Sequence, residues 1–253
     1  MNITIITGAS SGIGREFAVQ LDGLFSNMDE IWLVARRKER LEELRCRLKT
    51  RCRIIDMDIT DPVYMRQFSE ILKIARPRIC MLVNCAGFGL MGAVDMLSLE
   101  EQLSMIDLNC RALTDMTYRC LPYMRKNGRI IQLASSAAFL PQENFAVYAA
   151  TKSYVLSFSR ALHEELKGRG VCVTSVCPGP VDTEFFQIAE KYGKTLAVKK
   201  LTMVSPQRVV RKAIRDSGKK EPLSVCSLPI QAFQVLSKVL PNRMLFGMMR
   251  LFH

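Results

Sequence analysis

The chain has 253 residues, 49% of them apolar and 24% charged, which is enough for one sizeable core and excludes a mainly disordered or fibrous protein. Its net charge of +12 gathers in two stretches, with nine Lys/Arg against three acids over residues 36–53 and ten against one over residues 191–220. Neither stretch interleaves aromatic residues or sits in a nucleic-acid-binding motif, so the charge reads as a field that draws small anions, with no nucleic-acid partner expected.

Along the chain, short apolar runs rich in β-formers alternate with helical patterns, predicting strands at residues 2–7, 31–35, 52–56, 79–83, 129–134, 171–176 and 223–226. The strands are almost continuously apolar, as required when helices cover both faces of a parallel sheet. The fold class expected is therefore α/β, a doubly wound, Rossmann-like parallel sheet of about seven strands. Residues 1–228 read as one domain and residues 229–253 as an apolar, basic helical tail.

The first strand runs into Thr7-Gly8-Ala9-Ser10-Ser11-Gly12-Ile13-Gly14, after which Ile13, Phe17, Ala18, Leu21 and Leu24 recur at helical spacing. Glycines at a strand–helix junction let the backbone approach a pyrophosphate that rests on the helix N-terminus. The same residues match GxSxG, the nucleophile elbow of hydrolases. That reading fails on two counts: no earlier strand–helix loop exists to supply an oxyanion donor, and the downstream histidines are His163, inside a helical run, and His253.

After the second strand come Arg36 and Arg37, where an acid would accept from a ribose 2′-hydroxyl and an arginine accommodates a 2′-phosphate. Leu41, Leu44 and Leu48 mark the next helix, and Asp58 follows the third strand. Asn84-Cys85-Ala86-Gly87 ends the fourth strand, Ser135 and Ser136 the fifth, Pro178-Gly179 the sixth. In an open α/β sheet, ligands bind beyond these carboxyl ends. The helix after the fifth strand carries Tyr148 and Lys152, and of the six tyrosines only Tyr148 has a lysine four residues on. Four residues apart, the two share a helical face. A free phenol titrates near pH 10, so activity near neutrality needs a drop of roughly three units, about 4 kcal/mol. One ammonium at about 4 Å supplies about that much at an effective dielectric near 20.

Together, TGASSGIG, NCAG, Asn109 in LNCRAL, Ser135 with YAATK, and PGPVDTEF resemble the ordered motifs of the short-chain dehydrogenase/reductase family in its compact single-domain branch, over residues 2–186. The resemblance implies an NADP(H)-dependent oxidoreductase that interconverts a carbonyl and an alcohol on a small hydrophobic, in one variant anionic, substrate. It assigns Tyr148 as general acid/base, Lys152 as the residue that lowers its pKa and holds the nicotinamide ribose, Ser135 (thirteen before Tyr148, against twelve for Ser136) as the substrate-oxygen partner, and Asn109 as the anchor of a proton relay. It places the cofactor on Gly8, Ser10, Ser11, Gly12, Ile13, Gly14, Arg36, Arg37, Asp58, Ile59, Asn84, Ala86, Gly87, Tyr148, Lys152, Pro178, Gly179, Val181 and Thr183, with NAD(H) the less favoured cofactor and no metal. Cys85 stands where the family has a second Asn, a change expected to loosen a local turn contact.

Phe88, Leu90, Met91, Phe139, Phe145, Phe185 and Phe186 are expected to border an apolar pocket, with basic residues of 191–200 at its mouth. In the tail, two short helices are expected on either side of Pro241, and Ile230, Phe233, Leu236 and Leu240 share a face; packing on the body, closing over substrate and a peripheral membrane contact aided by Lys238, Arg243 and Arg250 are the three readings. Nine cysteines without CxxC spacing, no apolar run of spanning length and an opening that reads as a strand, not a secretory leader, place the chain in the cytoplasm, with a homodimer or homotetramer expected from the family. The rival reading from another class is a catalytically idle NADP-sensing protein on the same fold; retention of Ser135, Tyr148, Lys152 and Asn109 together speaks against it.

Overall fold

The computed structural model describes residues 1–25, 27–192, 203–241 and 243–244. Seven parallel strands form one sheet in the order β3-β2-β1-β4-β5-β6-β7: Asn2–Thr7 (β1), Glu30–Ala35 (β2), Cys52–Asp56 (β3), Arg78–Asn84 (β4), Met124–Leu133 (β5), Cys172–Val176 (β6) and Leu223–Ser224 (β7). The order reverses between β1 and β4, which pair with Thr7 opposite Asn84. That reversal leaves a crevice beyond the carboxyl ends of both strands, because the connections from them depart to opposite faces.

Helices sort onto the two faces by which of their stripes is apolar. On one face lie Gly12–Leu21 (α1), Lys38–Arg45 (α2) and Pro206–Gly218 (α8), packing Phe17, Leu21, Leu41, Leu44, Val209 and Val210 onto Ile6, Leu33 and Val83. The other face takes Pro62–Ala75 (α3), Leu113–Cys120 (α5) and Ala146–Leu166 (α6), which bury Phe68, Leu72, Met116, Leu162 and Leu166 against Ile5, Leu82 and Ile130. Burial of this kind contributes about 1.5–3 kcal/mol per large side chain. Asp61 caps α3 through the Val63 amide, and Ser98 caps Leu99–Ile106 (α4) through the Glu101 amide.

Several boundaries depart from the sequence reading. Helix α1 ends at Leu21, because Gly23 turns at φ +69°, and Leu24 lies half exposed. Helix α2 stops at Arg45, leaving Leu48 packed from the segment beyond it. Strand β5 starts at Met124, paired with Ile79 ahead of a register shift, so the expected start at 129 misses its irregular first part. Strand β7 is only Leu223–Ser224. In the tail one helix, Leu228–Val239 (α9), begins at a residue before Pro229, which takes its first turn. Of the helix expected after Pro241 only residues 243 and 244 are described, both helical, while Arg250 and the basic residues of 194–200 lie outside the described residues. Among the described residues no helix is long and apolar enough to cross a membrane.

Candidate active site

A cavity of about 910 Å³ runs along the carboxyl ends of the strands, lined at one end by the glycine turn, Arg36, Arg37 and Asp58, and at the other by Phe88, Met91, Phe145 and Phe186. Tyr148 and Lys152 line its middle.

The glycine turn is shaped by what it must leave empty. Gly8 sits at φ +67°, and a Cβ there would lie 2.8 Å from the Ala86 nitrogen; one on Gly14 would lie 2.3 Å from the Gly8 carbonyl oxygen. The turn thus folds back under the first turn of α1, whose cap residue Ser11 makes no side-chain cap bond. The first amides of α1 therefore have neither an intrahelical acceptor nor a capping oxygen, and Gly12, Ile13 and Gly14 border the cavity. A pyrophosphate fits this cradle by charge and by space. Thr7 Oγ1 ties the turn to β4 by accepting from the Cys85 and Ala86 amides at 3.1 and 3.2 Å. The turn contact thought to loosen at Cys85 is therefore held by backbone amides, which the side chain does not affect, and the thiol itself is buried.

The two arginines after β2 take different directions. Arg36 pairs with Asp58 at 3.4 Å, and Asp58 also accepts from the amide and hydroxyl of Thr60, so that its carboxyl titrates below the usual range despite burial. Arg37 turns inward: it donates to Ser11 Oγ at 2.7 Å, to Ser10 Oγ at 3.2 Å, and pairs with Glu184 at 3.0 Å. Arg40 binds the other oxygen of the same carboxylate. Ile59, Ala86, Gly87, Pro178, Gly179, Val181 and Thr183 also line the cavity, whereas Asn84 lies beneath it, buried and donating to Thr117 and Gln132. The expected cofactor residues thus converge, except that Asn84 supports the crevice from below.

Helix α6 presents Tyr148 and Lys152 to the cavity, both buried. Phe145 stacks on the Tyr148 ring at 4.3 Å and Phe185 tilts against it at 5.4 Å. Ser135 faces the phenol, and its Oγ accepts from the Ala137 amide at 3.1 Å. Ser136 instead donates its amide to Pro178, tying the ends of β5 and β6 together. Burial pushes the Tyr148 phenol well above its ordinary value, and the nearby Ser135 hydroxyl offsets only part of that rise. Lys152 donates to the Leu133 carbonyl at 2.9 Å, and burial pulls its ammonium down to about 8.

Among the chain's own groups, desolvation by burial outweighs what lowers the phenol pKa, and the Lys152 ammonium stands 5.6 Å from the ring centre.

Asn109 lies fully buried in a π-helical turn, Asp107–Ala112, between α4 and α5. Its amide nitrogen donates to the Phe88 carbonyl at 2.8 Å and to Thr151 at 3.0 Å, and its oxygen accepts from the Phe88 amide at 3.1 Å. The extra residue in the π-turn brings this side chain inward. Thr151, Glu184 and Arg40 were not singled out in the sequence, although Thr151 and Glu184 lie inside motifs already noted; Phe145 was expected at the pocket, but not its stack on Tyr148.

A short chain dehydrogenase family profile matches residues 2–192. The serine 3-dehydrogenase of Agrobacterium fabrum is 36% identical over 186 residues, 72% of each chain. An NADP-dependent 3-hydroxy acid dehydrogenase of Escherichia coli is 34% identical over 197 residues, 75% of this chain and 77% of that one. Among solved structures, a short-chain dehydrogenase from Sphingobium yanoikuyae in complex with NADPH superimposes with a TM-score of 0.78 at 27% identity, covering 96% of this chain and 97% of that chain.

Proposed function

This chain belongs to the short-chain dehydrogenase/reductase family of oxidoreductases, and on that premise we propose that it is an NADP(H)-dependent reductase and dehydrogenase that interconverts a carbonyl and an alcohol on a small hydrophobic substrate. The observation that carries this reading is the convergence of Ser135, Tyr148 and Lys152 in one cavity with the glycine cradle. A bound nicotinamide supplies or accepts the hydride at the substrate carbon. Tyr148, held protonated by its surroundings, gives its proton to the carbonyl oxygen during reduction and takes it back during oxidation. Ser135, which faces the phenol, donates to the same oxygen and fixes where it sits. Lys152, which donates to the Leu133 carbonyl, would also hold the ribose hydroxyls. The Asn109 side chain is committed to Phe88 and Thr151, which leaves the main chain of its turn to carry the proton relay.

The cofactor preference rests on Arg37 and Arg36 and on the lack of an acid at the end of β2. The similar Escherichia coli enzyme is named as NADP-dependent and the Sphingobium structure holds NADPH. For the substrate, the charged lining residues other than Lys152, namely Arg36, Arg37, Asp58 and Glu184, gather at the adenosine end, whereas Phe88, Met91, Phe186, Ile188, Ile230 and Phe233 surround the other. That distribution favours an apolar ketone or aldehyde, since no arginine among the described lining residues is placed to take a carboxylate there. Self-association as a homodimer or homotetramer would cover Leu103, Ile106, Tyr118 and Tyr154, all exposed on α4, α5 and α6. A peripheral membrane contact would use exposed Leu228, Val235 and Val239 beside Lys238. The deciding experiment is NADPH oxidation against a panel of apolar ketones and aldehydes set beside hydroxy-acid precursors. Turnover of the apolar set is expected; turnover of the acids alone would overturn the substrate class, and no turnover of any would favour the idle NADP-binding protein.

A further inference from the structure

The Arg37–Glu184 pair spans the cofactor crevice, joining the end of β2 to the loop after β6, across 147 residues of sequence. Glu184 places one carboxylate oxygen on Arg37 at 3.0 Å and the other on Arg40. Arg37 meanwhile commits three further N–H groups to Ser10 and Ser11 of the glycine turn. The guanidinium that would receive a 2′-phosphate is thus already satisfied by an anion the protein itself supplies.

We infer that Glu184 is a built-in competitor for the 2′-phosphate, a specificity-determining residue that opposes NADP(H) and not NAD(H). The inference rests on the cofactor reading above and adds a residue that works against it. Arg37 has five donors in a fixed planar fork, and a phosphate dianion takes two of them in parallel. Whichever of those face Glu184 must be given up, and a carboxylate left beside the dianion repels it. Both arginines hold the Glu184 carboxyl below the usual carboxylate range, so it stays ionised near neutrality and cannot escape the conflict by protonation. A ribose 2′-hydroxyl makes no such demand, and the bridge can stay closed around it. Arg37 and Glu184 are each about 40% exposed, with side-chain values of 43% and 38%, so solvent screens the pair and the opposition is modest. Its consequence is that Arg37 always has a partner to return to when the cofactor leaves.

The test is Glu184→Gln, which keeps the shape and removes the charge, read by equilibrium titration with NADPH and NADH and by calorimetry with 2′,5′-ADP and 5′-AMP. Glu184→Gln is expected to tighten NADPH and 2′,5′-ADP by about three- to tenfold, leaving NADH and 5′-AMP within about twofold. In an Arg37→Ala background the same change is expected to lose its selectivity, because the contested group is gone. Unchanged or weaker NADPH binding would overturn the inference, the latter by showing that Glu184 clasps the bound cofactor. Equal tightening of NADPH and NADH would also overturn it, as a general opening of the crevice. If the unaltered protein binds neither dinucleotide, the cofactor reading itself fails; if it binds both and Glu184→Gln does not discriminate, only the competitor fails.

Discussion

The Asn109 side chain and the Phe88 main chain exchange two hydrogen bonds, at 2.8 and 3.1 Å, as two paired strands would. The amide of one residue thereby extends the end of β4 sideways and sets the path of the Gly87–Gly89 segment. A Cβ on Gly87 would stand 2.8 Å from the Asn109 oxygen and 3.3 Å from the Lys152 nitrogen, and one on Gly89 would stand 2.5 Å from the Tyr148 ring. The floor beneath the reacting groups is a bare backbone held in place by a π-turn.

From that contact, Gly89→Ala is expected to displace the phenol. A misplacement approaching 1 Å costs up to about 100-fold in turnover, while the glycine cradle and hence cofactor affinity are untouched. Paired measurement of turnover and NADPH dissociation checks this: a loss confined to binding would contradict it.

Tyr148→Phe removes the proton and keeps the stacked ring. Turnover is expected to fall by about 100- to 10,000-fold with NADPH affinity nearly intact. Retention of most of the turnover would remove Tyr148 from the chemistry.

The pH dependence follows in sign from burial. Reduction needs the phenol protonated, and burial raises its pKa, so carbonyl reduction should hold level through neutrality and decline only at alkaline pH. Alcohol oxidation needs the proton gone and should climb with pH over the same range. Profiles in both directions decide it; reduction that declines between neutrality and the ordinary phenol range would show that the bound cofactor lowers the phenol further than burial raises it.

Arg37→Ala should weaken NADPH by about tenfold or more and NADH by about twofold at most, since a charged hydrogen bond is worth about 1.5–3 kcal/mol. Arg36→Ala should do less, because its guanidinium leans on Asp58. Titration of both cofactors with both variants checks the ranking.

On the substrate side, Phe233→Ala opens the wall that α9 contributes to the cavity. The Michaelis constant for bulky ketones should rise several-fold while that for small ones stays level, and steady-state kinetics across a size series reads the difference. Equal effects on every substrate would make α9 a packing element alone.

The parallel sheet was legible because its strands are nearly unbroken apolar runs, with polar residues or glycine at their carboxyl ends. Ser135, Tyr148 and Lys152 were legible because helical spacing and a fixed interval tie them together. Pairings across the crevice were not. Nothing in the order of residues shows that Arg37 meets Glu184, because the meeting depends on two loops from opposite sides of the topological reversal. Nor does sequence show how closely Tyr148 is enclosed, since that depends on the approach of Phe145 and Phe185, a matter of packing and not of spacing. The early end of α1 and the early start of β5 were lost to local backbone turns that hydrophobic periodicity does not register.

Helix α9 leaves none of its residues fully buried, yet it is not loosely appended: Ile230 rests so close to Gly179 that a Cβ on that glycine would stand 2.9 Å from it, and Gln231 donates to the Val225 carbonyl at 2.9 Å. The wall of the substrate mouth is therefore seated on the loop that borders the cofactor. A chimaera that transplanted another relative's C-terminal helix onto this sheet would need that relative's 178–181 loop as well, and the two exchanges made separately would each fail where the joint exchange succeeds. On the proposed reading, substrate range and cofactor grip would then change together, as one piece.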